Sequence, residues 1–168
     1  MLHVCSLSRL SQTVEKARAS HLITLINADT RVSRPAGIDP SRHLFLGFND
    51  IVEPIDGLTP PAEGHVERLL EFVGQWDRRE ALVIHCWAGI SRSTAGAYIT
   101  ACALNPAASE QDLAQSLRAR APSATPNARL VAMADKLLAR DGRMIEAIRD
   151  IGRGATAFEG TPFVMPLE

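Results

Sequence analysis

Apolar residues recur along the chain in short runs of period two and in longer stretches of helical period, and the two kinds alternate. MLHVC at the start reads as a short apolar strand, and SLSRLSQTVEKA then brings Leu7, Leu10, Val14 and Ala17 onto one helical face. HLITLIN is β-branched and ends at the polar NADTR, as a strand does. TRVSRPAGIDPSR, with its prolines and glycine, reads as a loop. HLFLGF is a third strand, broken by NDIVEPIDG. Thr59 is placed to cap the next helix with Pro60 at its first position, and Val66, Leu69, Leu70, Val73 and Trp76 share one side of it. REALVIH is almost wholly apolar, as a central strand covered on both faces must be. An alanine-rich helix follows over Ser91 to Leu104. Ser109 with Asp112 resembles a capping box and opens another helix. Thr125 and Pro126 start a further one, with Leu130, Met133, Ala134, Leu137 and Leu138 facing the core. Strands separated by helices predict an α/β fold, a central mostly parallel sheet of four to five strands flanked by helices. Residues 1–150 are expected to form the single domain, and 151–168, GRGATAFEGTPFVMPLE after Ile151, to form an irregular tail.

Composition adds mainly exclusions. The 168 residues suit one domain, 46% hydrophobic and 22% charged, and the formal net charge of -1 gives no electrostatic reason to expect nucleic acid or an anionic membrane. No apolar run approaches the roughly 20 residues that span a bilayer. The first residues lack a basic segment followed by an apolar one, so no signal peptide is expected. Three widely spaced cysteines, Cys5, Cys86 and Cys102, are neither a disulfide framework nor a zinc set, and a reducing cytosol is the expected setting. The scattered histidines suggest no metal, and no cofactor is expected.

The chemistry concentrates in VIHCWAGISRS, residues 83–93, between the central strand and the alanine-rich helix. In parallel sheets ligands bind at the carboxyl ends of strands, where this segment lies. A strand-turn-helix path from Cys86 to Arg92 curls successive N–H groups inward into a nest for an anion, and the helix start adds its positive end. Gly89 permits backbone that a side chain opposes, and Arg92 brings a planar fork matching two oxygens of a phosphate. Cys86 lies at the base of the same nest, where the field that attracts phosphate also favours a thiolate nucleophile. Attack on phosphorus would give a cysteinyl-phosphate that water hydrolyses, with Ser93 bonded to the departing sulfur. His85 is expected to brace the loop. Cys5 and Cys102 read as core thiols, with a reversible disulfide to Cys86 as the sharper alternative. Arg31, Arg34 and Arg42 belong to a solvated loop, or line the cleft and guide anions.

HCWAGISRS resembles the HCxxGxxR[ST] signature of cysteine-dependent protein tyrosine phosphatases, and is most similar to the compact dual-specificity branch in its prokaryotic type. FNDIVEP resembles that branch's general-acid segment, and PSATPNARLVAMADKLL its closing helix, so the likeness spans roughly residues 20 to 140. The resemblance implies a parallel sheet flanked by helices and metal-free phosphoester hydrolysis. It matches Cys86 to the nucleophile, Arg92 to the phosphate-binding arginine, Ser93 to the neighbouring hydroxyl, and Trp87, Ala88, Gly89, Ile90 and Ser91 to the loop amides. Asp50 matches the acid that protonates the leaving oxygen, with Asp56 on the same loop as its rival, since neither sits in a WPD tripeptide.

Between Cys86 and Arg92 there is no lysine, so a highly anionic inositide would meet Arg92 alone. That favours a phosphorylated side chain, phosphotyrosine and also phosphoserine or phosphothreonine. The alternatives are a phosphatase of lipids or small phosphoesters, a phosphate-binding module of weak turnover, and sulfur transfer at a rhodanese-like cysteine loop.

Overall fold

The computed structural model describes residues 1–167. Five strands, β1 (Leu2–Ser6), β2 (Ala19–Ile26), β3 (His43–Gly47), β4 (Ala81–Cys86) and β5 (Phe163–Met165), form one sheet in the order β3-β2-β4-β1-β5. The first four are parallel, and β5 adds an antiparallel edge against β1. Six helices surround it: α1 (Leu10–Ala17), α2 (Glu63–Gln75), α3 (Arg92–Leu104), α4 (Glu110–Arg120), α5 (Ala128–Leu137) and α6 (Arg143–Ile151). No helix among the described residues is long and apolar enough to cross a membrane.

β4 is buried at every position, which is why its sequence is apolar without alternation. Its side chains still alternate between two cores. Leu82, Ile84 and Cys86 join the larger cluster with α2 to α6, while Val83 joins Cys5, Leu10, Val14 and Leu22 under α1. α3 is buried from Arg92 to Cys102, and alanine there lets it lie close against the sheet. At Gly96 an added Cβ would stand 2.8 Å from Leu25 Cδ1.

Three sequence expectations need correction. α2 begins at Glu63, not beside Thr59, because Ala62 is extended and the His65 ring reaches back to accept from Ala62 N–H at 3.0 Å. α5 begins after Asn127, whose side chain caps it by accepting from Leu130 N–H at 3.1 Å. The segment past residue 150 is expected to be an irregular tail, yet it returns to the sheet and forms β5.

Candidate active site

For amides to point into a nest, the carbonyls of the same peptide units must point out and be satisfied there. Four carbonyls between β4 and α3 accept backbone N–H groups from segments distant in the chain. Trp87 C=O accepts from Leu7 N–H at 3.1 Å, Ala88 C=O from Gly160 N–H at 2.8 Å, Ile90 C=O from Thr125 N–H at 2.9 Å, and Ser91 C=O from Asn127 N–H at 3.3 Å. No cis peptide occurs among the described residues. In trans units N–H opposes C=O, so the amides of Ala88, Gly89, Ser91 and Arg92 turn toward the interior of the loop. Gly89 takes φ 71°, and a Cβ there would lie 2.9 Å from the backbone of Cys5 and Ser6. Only glycine fits this turn, for both reasons.

Cys86 forms the floor of this ring and is 3% exposed. Gly89 N–H donates to its sulfur at 3.2 Å, and Ser93 Oγ lies 3.1 Å away on the first turn of α3. Cys86, the loop amides and the Ser93 hydroxyl singled out in the sequence are therefore brought together in one place.

Arg92 opens α3 with a side chain 6% exposed. One terminal nitrogen donates to Asn27 Oδ1 and to Phe48 C=O, both at 2.7 Å. Its Nε is buried without a partner. Both acceptors are neutral, and a cation at a helix N-terminus opposes the helix dipole. None of the ion pairs among the described residues involves Arg92, and its planar fork matches the oxygens of an oxyanion.

Asp50 sits just past β3 on the rim. Its Oδ1 accepts from Ser91 Oγ and from Asn127 Nδ2, both at 2.8 Å, so the carboxyl is tied to the loop through two side chains. The ends of the Asp50 loop are pinned in turn: Asn49 N–H donates to Thr59 C=O at 2.7 Å, and Arg129 Nε to Pro61 C=O at 2.7 Å. An open cleft of about 490 Å³ runs between this loop and the start of α5, lined by Asp50, Ser91, Thr125 and Asn127. Asp56 is exposed at the far side of the same loop, with no hydrogen bond to residues 86–92 among the described residues.

Beneath the floor lies a buried polar chain. Thr24 Oγ1 is 2.8 Å from both His85 Nε2 and His43 Nε2, and His85 Nδ1 is 3.2 Å from Cys86 O. Desolvation pushes the His85 imidazole down to about 4, against the pull of the Cys86 carbonyl. It is therefore neutral and carries one proton, on Nδ1, because a carbonyl can only accept. Thr24 must then donate to His85 Nε2 and accept from His43. His85 thus accepts from Thr24 and donates to the Cys86 carbonyl directly beneath the loop.

Cys5 and Cys102 are core thiols, each pushed up to about 12 by burial. Cys5 pairs in register with His85, one residue before Cys86, and so projects to the α1 face while Cys86 joins the other core. For Cys5 the disulfide alternative thus meets thiols on opposite faces of the sheet, while Cys102 shares the larger core with Cys86 and stands there as a free thiol. Arg34 and Arg42 serve their own surroundings, donating to Ile38 C=O at 3.0 Å and to Glu80 at 3.2 Å, and Arg31 is exposed. Asn27, Thr24, Leu7, Thr125 and Gly160 were not legible as site residues. Most contribute a backbone amide, which every sequence has, or a short polar side chain at a strand end.

No protein-family model and no curated protein sequence matches the chain. Solved structures do. The PTP-2 phosphatase of Cydia pomonella superposes with a TM-score of 0.63 at 19% identity, covering 80% of this chain and 84% of that one. A mouse putative dual specificity phosphatase, solved with zinc tungstate, gives 0.64 at 17%, covering 88% and 86%. The human tyrosine phosphatase-like serine/threonine/tyrosine-interacting protein gives 0.62 at 21%, covering 83% and 92%. The chain has the fold of cysteine-dependent tyrosine and dual-specificity phosphatases.

Proposed function

We propose that the protein is a phosphoric monoester hydrolase of the tyrosine/dual-specificity kind, working through a cysteinyl-phosphate. One observation carries the reading: a buried sulfur, with an amide and a hydroxyl beside it, lies under a ring of inward amides next to a buried arginine that has no counter-ion among the described residues. In this reading the phosphoryl oxygens take the loop amides and the Arg92 fork. The Cys86 thiolate attacks phosphorus as the ester P–O bond breaks, and Asp50 passes its proton to the leaving oxygen. Oδ1 already accepts twice, so Oδ2 is the oxygen that carries this proton. Water then attacks phosphorus and gives a proton back to Asp50. The P–S bond breaks, and the Ser93 hydroxyl donates to the departing sulfur.

A phosphorylated protein side chain fits better than a lipid headgroup. Uncharged residues separate Cys86 from Arg92, and exposed apolar side chains, Val52 and Ile55 in the Asp50 cleft and Trp87 on the loop itself, offer a surface for peptide rather than for a polyanion. The test is a panel of phosphotyrosine, phosphoserine and phosphothreonine peptides and phosphoinositides, run with wild type and Cys86→Ser. Turnover is expected on the peptides, led by phosphotyrosine, and none in Cys86→Ser. Preference for inositides would move the substrate to lipids, and turnover by Cys86→Ser would overturn the covalent route.

A further inference from the structure

The segment that follows α6 crosses back over the site before it enters β5. Gly160 is buried, and its N–H makes the 2.8 Å bond to Ala88 C=O described above. The same Ala88–Gly89 peptide unit carries the N–H that donates to the Cys86 sulfur at 3.2 Å. One trans peptide therefore links strap and nucleophile, from Gly160 N–H through Ala88 C=O and Gly89 N–H to the sulfur. Hydrogen bonds in series polarise one another, so a donor on the carbonyl strengthens the amide at the other end. The contact admits only glycine. A Cβ at Gly160 would stand 2.6 Å from Gly89 O.

The neighbouring residue holds the strap in place. Glu159 accepts through one carboxylate oxygen from the hydroxyls of both Ser6 and Ser8. Those hydrogen bonds hold its carboxyl below the usual range. Ser6 is the residue of β1 in register with Cys86, so the latch closes on the strand beside the nucleophile. The strap thus has an anchor at Glu159, a working donor at Gly160, and a strand after it that keeps both in register.

We infer that Glu159 and Gly160 are positioning residues of the phosphoryl site: the C-terminal strap fixes the Ala88–Gly89 peptide with its amide toward the sulfur and the bound oxyanion. The inference rests on reading the 86–92 loop as a phosphoryl site. It adds to that reading a segment outside the signature, one that sequence alone assigned to an irregular tail.

The test compares Gly160→Ala, Glu159→Ala, Glu159→Gln and the exposed neighbour Thr161→Ala with wild type. Aryl phosphate kinetics, vanadate affinity by calorimetry and Tm are measured for each. Gly160→Ala is expected to lower kcat by about 10²-fold, the cost of misplacing a catalytic group by an ångström. Vanadate should bind it about tenfold more weakly, the loss of one aligned donor. Glu159→Ala should lose about tenfold in kcat, Glu159→Gln should recover most of that because its amide oxygen still accepts from the serines, and Thr161→Ala should match wild type. If Gly160→Ala does not fold, the Glu159 pair carries the test alone. Folded Gly160→Ala or Glu159→Ala with wild-type kcat and vanadate affinity would overturn the inference while leaving the hydrolase intact. A wild type that binds vanadate but hydrolyses no phosphoester would overturn the hydrolase, and the strap would still be judged by the vanadate affinities. Failure to bind vanadate would overturn both.

Discussion

Arg92 and Arg140 are buried to the same degree, 6% and 7% exposed, and their surroundings differ in kind. Arg140 is a structural cation. It meets the Glu110 carboxylate at 2.7 Å, where both side chains are 9% exposed, and donates to Cys102 C=O at 2.7 Å. Burial pushes the Glu110 carboxyl up, and Arg140, the Glu110 backbone and Arg143 together outweigh it and hold the group below its ordinary range. Arg92 has two neutral acceptors, an orphaned Nε and a helix dipole directed against it. Burying a cation with so few partners costs free energy that the fold does not recover from an ion pair at this position. On the proposed function, the difference separates an arginine the fold needs from one the reaction needs, although in sequence both are simply arginines near helix ends.

Replacing each arginine breaks the comparison in opposite ways, and this is the largest effect expected. Arg92→Ala should lower kcat/KM by about 10³-fold or more while Tm holds or rises, since a buried cation without a counter-ion is removed. Arg140→Ala should leave kcat per folded molecule near wild type and cost about 3–5 kcal/mol, because Glu110 is stranded in the core with only the half-exposed Arg143 beside it. Urea unfolding and aryl phosphate kinetics on both variants check the pair. Stability loss in Arg92→Ala, or activity loss in folded Arg140→Ala, would erase the distinction.

A second contrast of the same kind lies between two aspartates on one loop. Asp50 is bound to Ser91 and Asn127, and Asp56 faces solvent. Asp50→Asn should lower kcat by about 10²–10⁴-fold on alkyl and phenyl phosphates and by less on esters whose leaving group needs no proton. Asp56→Asn should stay near wild type, and the reverse ranking would transfer the acid to Asp56.

The smallest effect is in pH and stability, at His85. The folded imidazole refuses a proton down to about pH 4, while the unfolded chain takes it near 6.5. Stability from this residue is therefore full above pH 6.5 and is lost as pH falls toward 4, by about 3 kcal/mol in all. His85→Gln should flatten the stability curve over that window by this amount when unfolding is followed at several pH values. An unchanged slope would mean that the ring is protonated in place.

The parts of this architecture that were readable from sequence are those in which one local segment does the work. Cys86, Gly89, Arg92 and Ser93 lie within one turn and announced the nest, and the apolar run before them announced the central strand. Asp50 was half legible, because its position after β3 was visible but its partner Asn127 lies on a helix cap far along the chain. The outer ring of donors was not legible at all. Leu7, Thr125 and Gly160 act through backbone N–H groups, and only folding brings them to the loop. α6 went unread although Met144, Ala147, Ile148 and Ile151 recur at helical spacing: it is short, and its start is held by Asp135 from another helix, which accepts from Gly142 N–H at 2.8 Å and Met144 N–H at 2.9 Å.

The covalent step is tested most directly by acid-quenching Asp50→Asn during turnover of an activated aryl phosphate and reading the Cys86 peptide by mass spectrometry. Breakdown of the intermediate needs the same carboxylate, so the account predicts one phosphoryl group on Cys86, absent in Cys86→Ser and in Arg92→Ala. Continued turnover with Cys86 always unmodified would contradict it.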